Sequence, residues 1–329
     1  MNSVIFLWIL FWALFLIVST LDYIVVSTRG TLDVKTALCW TGVWVGVALG
    51  FSAAIYFLHP RGGDIFIEFI SGYLTEYSLS IDNLFVFILI FSLMGVQEVA
   101  QPKLIKLGIY LSIVLRIVFI VFGIAIIHRF HWLLYVFGAM LVWTAWKMLI
   151  AKDENQVHPE NNLLYKLGSR VLPIHSEDQT TKRLFTRFEG KHYVTPLFLV
   201  FLVIGSTDVL FAVDSIPAIM GISEDPFVVL TSNVFAVLGL NSLFFAVRGV
   251  MGLFKFLKHG VSIILFFIGG KMIAGAYPPI NDWFQTRTYV SLLVIVAVLT
   301  CSILISIWHD RVLRKRGSAT VAESELPPR

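Results

Sequence analysis

Apolar residues fall in nine runs, at roughly 4–26, 36–58, 66–93, 104–127, 131–150, 194–220, 227–250, 259–277 and 288–308. Each is about as long as the 17–25 residues a helix needs to cross a bilayer. The pattern predicts an all-α polytopic membrane protein of about nine transmembrane helices. Short polar breaks at 128–130 and 221–226 predict tight helical hairpins. The segment 151–193 is the only long polar stretch between runs and reads as a solvated loop. The tail 309–329 is basic and then rich in Glu and Pro, so it is expected to be disordered. The organisation that follows is two N-terminal spans in 1–58, three spans in 59–150, the loop, three more spans in 194–277, a last span in 278–308, and the tail.

Lys and Arg crowd into alternate loops. One set carries Arg29 and Lys35, Lys103 and Lys106, the bases of the 151–193 loop, Lys255 and Lys258, and the basic start of the tail. The opposite set carries Arg61, Arg129 and Arg287. By the positive-inside rule the N-terminus is expected outside and the C-terminus inside. Spans three and six then run in opposite directions, and both carry paired acids. Span five ends in W-K-M-L (146–149) and span eight in G-K-M-I (270–273). These landmarks predict that spans 3–5 and 6–8 form an inverted repeat, an arrangement that in secondary transporters places the substrate site at the midplane.

Composition agrees with a membrane protein. Of 329 residues, 57% are hydrophobic and 14% charged, where a soluble domain carries about 25% charged. Mean hydropathy is +0.84. The excess of basic residues reports topology and gives no reason to expect nucleic acid as a partner; the lipid bilayer is the expected one. Cys39 and Cys301 lie in separate apolar runs, which argues against a disulfide framework or a thiolate metal site. The first apolar run is too long for a signal-peptide core and is read as a span. No nucleotide-binding loop motif is present. Neither an enzyme's motifs nor a resident cofactor is expected, and transport must draw on an ion gradient or the membrane potential. The many Phe and Trp residues read mostly as lipid-facing surface and interfacial belt. Gly269-Gly270 and the small residues near Gly46 and Gly50 read as allowing close helix packing.

The chemistry lies in the acids inside the spans. Span three holds Glu76 and Asp82 with Asn83 beside the latter, and span six holds Asp208 and Asp214 with Ser215 beside it. An ionisable side chain at mid-membrane costs roughly 2.5–3.5 kcal/mol on insertion scales and is a functional candidate by default. Six residues of helix turn the second acid about 120° from the first and about 9 Å along the axis. One regular helix therefore cannot present both acids to one ion, whereas Glu76 shares a face with Asn83 and Asp208 with Ser215. Pro217 lacks an amide hydrogen and frees the Val213 carbonyl next to Asp214, which predicts a helix break there. Carboxylates, an amide, hydroxyls and carbonyls suit hard cations such as Mg²⁺, Ca²⁺ and Mn²⁺. The alternative is that the acids pair with the buried cations Arg116, Lys147, Arg248 and Lys271 and hold the bundle together. Arg116, at mid-span, is expected to neutralise one acid. Asp22, near the inner end of span one, suits a local cap as well as a place in the pathway.

At E-Y-S-L-S-I-D-N-L-F-V-F (76–87) and S-T-D-V-L-F-A-V-D-S-I-P-A-I (206–219) the chain resembles the TerC family of integral membrane proteins, in particular its Alx-type bacterial members. The resemblance extends to L-D-Y at Asp22, to L-x-L-R at Arg116, to the K-M pairs at Lys147 and Lys271, and to D-P-F-V-V-L-T-S-N-V-F-A-V-L-G-L at 225–240. It implies a bacterial plasma (inner) membrane exporter of Mn²⁺, with Glu76, Asp82, Asp208 and Asp214 as the functional acids. Proton antiport is the simplest coupling, because carboxylates vacated by the metal can take protons. Rival readings are export of another substrate such as Ca²⁺ or an amino acid, or a non-transporting role in membrane-protein assembly or tellurite resistance. The chain departs from the family in two places: Gly205 stands where a glutamate is usual, and Asn241 where an arginine is usual. Losing acid and base together is what an ion pair lost as a unit would leave.

Overall fold

The computed structural model describes residues 2–29, 33–130, 132–150, 162–174, 183–188, 191–249 and 256–324. Among the described residues each apolar run of the sequence is largely helical. Helices α1 (Asn2–Arg29), α2 (Val34–Leu58), α3 (Gly62–Leu93), α4 (Gln101–Arg129) and α5 (Leu133–Ile150) come first. The polar segment then contributes α6 (Leu163–Val171) and an antiparallel hairpin of β1 (Phe185–Phe188) and β2 (Lys191–Val194). After it come α7 (Pro196–Met220), α8 (Pro226–Leu238), α9 (Leu240–Gly249), α10 (Leu257–Ala274), α11 (Pro278–Thr286) and α12 (Thr288–Ser324). The ends obey local rules. Asp33 caps α2 at the Thr36 amide, and Asp225 caps α8 at the Phe227 amide with Pro226 following as the first helical residue. Helix α3 stops at Gly95, whose φ of 62° is left-handed. The Val96 amide then reaches back to the Phe91 carbonyl (2.9 Å) and the Gly95 amide to that of Ser92 (3.3 Å), a Schellman closure that favours glycine.

Among the described residues seven helices are long and apolar enough to cross a membrane, and the bent pair α8–α9 makes eight if taken as one span. Three features correct the simpler expectation of uninterrupted spans with a break at Pro217. The run expected as a single span at 227–250 is two helices meeting at 46° around Gly239. Helix α7 passes through Pro217 without interruption, so no unwinding accompanies the missing amide hydrogen. The last apolar helix before the final span is short, with apolar residues His259–Ala274. The final helix continues past 308 to Ser324.

Helix α3 is the axis of the bundle: 69% of its most apolar window is buried inside the protein, against 17% for α1 and α5. It packs on α8, α2, α7, α9 and α12, while α4 packs on α7 and α8, and α5 on α10. The α5–α10 seam is closed by glycines: a Cβ on Gly269 would lie 2.6 Å from the Gly138 carbonyl oxygen, so the two backbones touch there. Gly270 meets nothing within 4 Å. Of the tryptophans expected in an interfacial belt, Trp12, Trp132 and Trp283 are exposed, whereas Trp8 packs edge-on against Phe11 and Phe227. Phe11, Phe51, Phe69, Phe227 and Phe235 instead form a buried cluster joining α1, α2, α3 and α8, with Phe51 and Phe235 centroids 4.9 Å apart.

Candidate functional site

Because α3 is regular, Glu76 points to one side of it, toward α4 and α8. Its carboxylate is 1% exposed and every oxygen has a donor. Oε1 accepts from the Arg116 guanidinium and from the Ser80 hydroxyl (3.2 Å), and Oε2 accepts from Asn233 Nδ2 (2.9 Å). Arg116, on α4 and also 1% exposed, donates through Nη1 to Asn233 Oδ1 (3.3 Å) and through Nε to the Ser112 hydroxyl (3.1 Å). Ser112 in turn hydrogen-bonds Asp208 of α7, whose carboxylate lies in the field of both Arg116 and Glu76. Four helices thus meet in one buried polar network in the centre of an apolar bundle. Removing one partner of such a pair leaves an uncompensated charge and costs about 3–5 kcal/mol.

The network has open positions. Asp208 is 4% exposed, and its Oδ2 meets no hydrogen-bond partner among the described residues. The same holds for the hydroxyls of Ser215, one face along α7, and Thr75, next to Glu76 on α3. Asn83 is buried on α3. The side chains of Asp22, Asp82 and Asp214 lie outside the described residues, although the backbone carries all three on regular helix. Among the described residues no three carboxylate, imidazole or thiol groups converge as a preformed metal cage.

The other cations nominated from the sequence part company with the central acids. Lys147 is exposed at the end of α5. Arg248 pairs with Glu98 and donates to Gln101 (3.0 Å) at the edge of the bundle. Lys271 sits 5.9 Å from the Phe284 ring centroid and faces Glu68. Gly205 points at Leu111 of α4, 2.8 Å from where its Cβ would be, and Asn241 is buried on α9. Helix α4, against which both α7 and α9 pack, carries Arg116.

Lys271 and Glu68 belong to a second polar feature, a cavity of about 410 Å³ at the end of the bundle where α3 begins and α7 and α10 finish. Arg61, Asp64, Ser223 and Asp225 also line it. Glu68 accepts from the Ser223 hydroxyl and lies 3.8 Å from Arg61. Eight residues separate Glu68 from Glu76, about 12 Å along α3. Beside this end, the His59 ring stacks on Phe227 at 6.2 Å, and burial pushes its pKa below the usual imidazole value.

Three of these residues escaped the sequence reading. Ser112 carried a signal, lying four residues before Arg116 on the same helical face. Asn233 sits in the polar triplet T-S-N of an otherwise apolar run, and Glu68 is one more acid inside a span; neither stood out beside the paired acids.

Fold and site define a multi-pass integral membrane protein with a charged network sealed in its core. Comparison with known proteins identifies its family. Residues 61–314 match the model of the integral membrane protein TerC family, and the chain belongs to that family. It is 40% identical over 278 residues to the membrane protein STKORF319 of Myxococcus xanthus, covering 84% of each chain. It is 36% identical over 307 residues to a protein of Escherichia coli (strain K12) named as a candidate membrane-bound redox modulator, Alx, covering 90% of this chain and 93% of that one. The thylakoid membrane protein TERC of Arabidopsis thaliana is 36% identical over 286 residues, 87% of this chain and 71% of that one. No solved structure matches.

Proposed function

We propose that this protein is a secondary transporter of the bacterial inner membrane that exports Mn²⁺ from the cytoplasm, with proton entry as the coupled movement. Glu76, Asp82 and Asn83 of α3 and Asp208, Asp214 and Ser215 of α7 supply the oxygen ligands, with the N-terminus outside and the C-terminus inside. The observation that carries this reading is the buried network of Glu76, Arg116, Asn233, Ser112 and Asp208 where four membrane helices meet. Charge is kept at such depth where a pathway needs it. Hard-cation chemistry follows from the oxygen donors still open there, Asp208 Oδ2 and the Ser215 hydroxyl.

The packing supports an inverted repeat of α3–α4–α5 and α7–α8/α9–α10. Exchanging the two units turns the α3–α8 contact into the α7–α4 contact and returns α5–α10 to itself, and all of these are major contacts. A two-fold relation of this kind lets one unit rock against the other about a shared site.

In cells lacking the gene, complementation by the wild type should lower Mn content. Asp82→Asn and Asp214→Asn, still inserted in the membrane, should not. A non-transporting assembly factor would tolerate both changes, so restored Mn content with either variant counts against the proposal. Proton coupling fails if reconstituted transport ignores an imposed pH gradient.

A further inference from the structure

Both carboxylate oxygens of Glu76 are engaged in this structure: Arg116 and Ser80 donate to Oε1, and Asn233 donates to Oε2. The guanidinium is itself held from behind by Ser112. From this geometry we infer that Arg116 is a tethered internal cation, which occupies Glu76 when the carrier is empty and yields that carboxylate to the transported metal. The inference rests on the transport reading above and concerns how the same site returns unloaded.

A carrier that binds a cation through buried carboxylates faces its largest penalty when empty, because bare carboxylates must then cross between the two orientations. Glu76 and Asp208 against Arg116 leave the described centre with one net negative charge, whereas without Arg116 it would carry two. Arg116 is placed on the element that makes this useful. It projects from α4, while Glu76 belongs to α3 and Asn233 to α8, so its cradle is assembled only while these helices stay packed together. A guanidinium suits the role because it stays protonated at any physiological pH and its planar fork satisfies a carboxylate and an amide at once. Metal entry at Glu76 then replaces the tethered single positive charge by the metal's two, and metal release lets the tethered one return. An empty carrier whose charge is halved in this way can reorient without waiting for a second metal ion, and net export becomes possible.

The full chain in lipid vesicles distinguishes net flux from exchange. Net flux is read by an Mn²⁺-quenched dye in vesicles with metal on one side only. Exchange is read by radioactive Mn²⁺ against unlabelled Mn²⁺ on both sides, where every reorientation is loaded. The wild type should show net flux comparable to exchange. Arg116→Gln should lower net flux on the order of 100-fold more than it lowers exchange, the factor an unpaired charge in hydrocarbon implies. Arg116→Lys should recover part of the net flux. Arg116→Gln that lowers both fluxes equally, or neither, overturns the inference. The wild type alone is a second test that holds where that variant fails to fold: fast exchange with negligible net flux would mean that the empty carrier cannot return, and would also overturn it. A wild type that moves Mn²⁺ in neither mode removes the transport reading itself, which is a different failure.

Discussion

Replacing Arg116 by glutamine takes one charge from a pair whose members are both 1% exposed. Asn233 and Ser80 still donate to Glu76, but no cation remains at hydrogen-bond distance, so the carboxylate is stranded in an apolar bundle. The cost of stranding one member of a buried pair is about 3–5 kcal/mol. Glu76→Gln should cost less, because the Asp208 carboxylate still faces the guanidinium. Carrying both changes together removes both charges and leaves a Gln–Gln contact that the same donors can satisfy. The double variant should therefore be more stable than the sum of the singles by about 2–3 kcal/mol, at the upper end of coupling energies for residues in contact. Thermal unfolding in detergent, followed by tryptophan fluorescence, measures all four corners of the cycle. Strictly additive losses, or singles indistinguishable from the wild type, would refute the claim that these two charges exist for each other.

Other expectations follow from the same geometry. Asn233→Ala removes a hydrogen bond to a charged acceptor and should lower stability by about 1.5–3 kcal/mol, measured in the same assay. Gly269→Ala pushes a methyl group against the Gly138 carbonyl oxygen and should destabilise by about 1–3 kcal/mol, whereas Gly270→Ala, with open space, should stabilise by about 0.4–1 kcal/mol; equal effects would contradict the α5–α10 seam. His59 has a folded-state pKa below its unfolded value because burial disfavours the charged ring. Its contribution is fully present above the unfolded pKa and is lost as pH falls below it, so melting between pH 7 and 5 should fall less steeply in His59→Gln than in the wild type.

The helices were legible because a bilayer imposes one rule: a backbone in hydrocarbon must satisfy itself, and long apolar runs announce where it does. What the periodicity could not carry was continuity. Gly239 sits in a run as apolar as any other, and the bend there depends on how α9 meets α2 and α3. Pro217 is the stronger breaker by residue type, yet α7 continues through it as one helix with Pro217 buried, as membrane helices often manage. Arg116 announced itself as a cation that needs an acid. That the acid is Glu76 is a fact of how α4 lies against α3 and α8, which no spacing along one helix encodes. For the same reason Asn233, 157 residues from Glu76 along the chain, was invisible as its partner. Ser112, on the same helix as Arg116, was within reach of spacing alone.

The central claim, that the buried carboxylates form a cation pathway, is tested most directly by Mn²⁺ flux through purified protein in lipid vesicles, comparing the wild type with Asp208→Asn. Asp208 is the described acid with an oxygen still open, and its amide is nearly isosteric but uncharged. The account predicts rapid Mn²⁺ movement in the wild type and near-background movement in the variant, with both proteins equally inserted. Equal flux from the two, or none from the wild type, would contradict it.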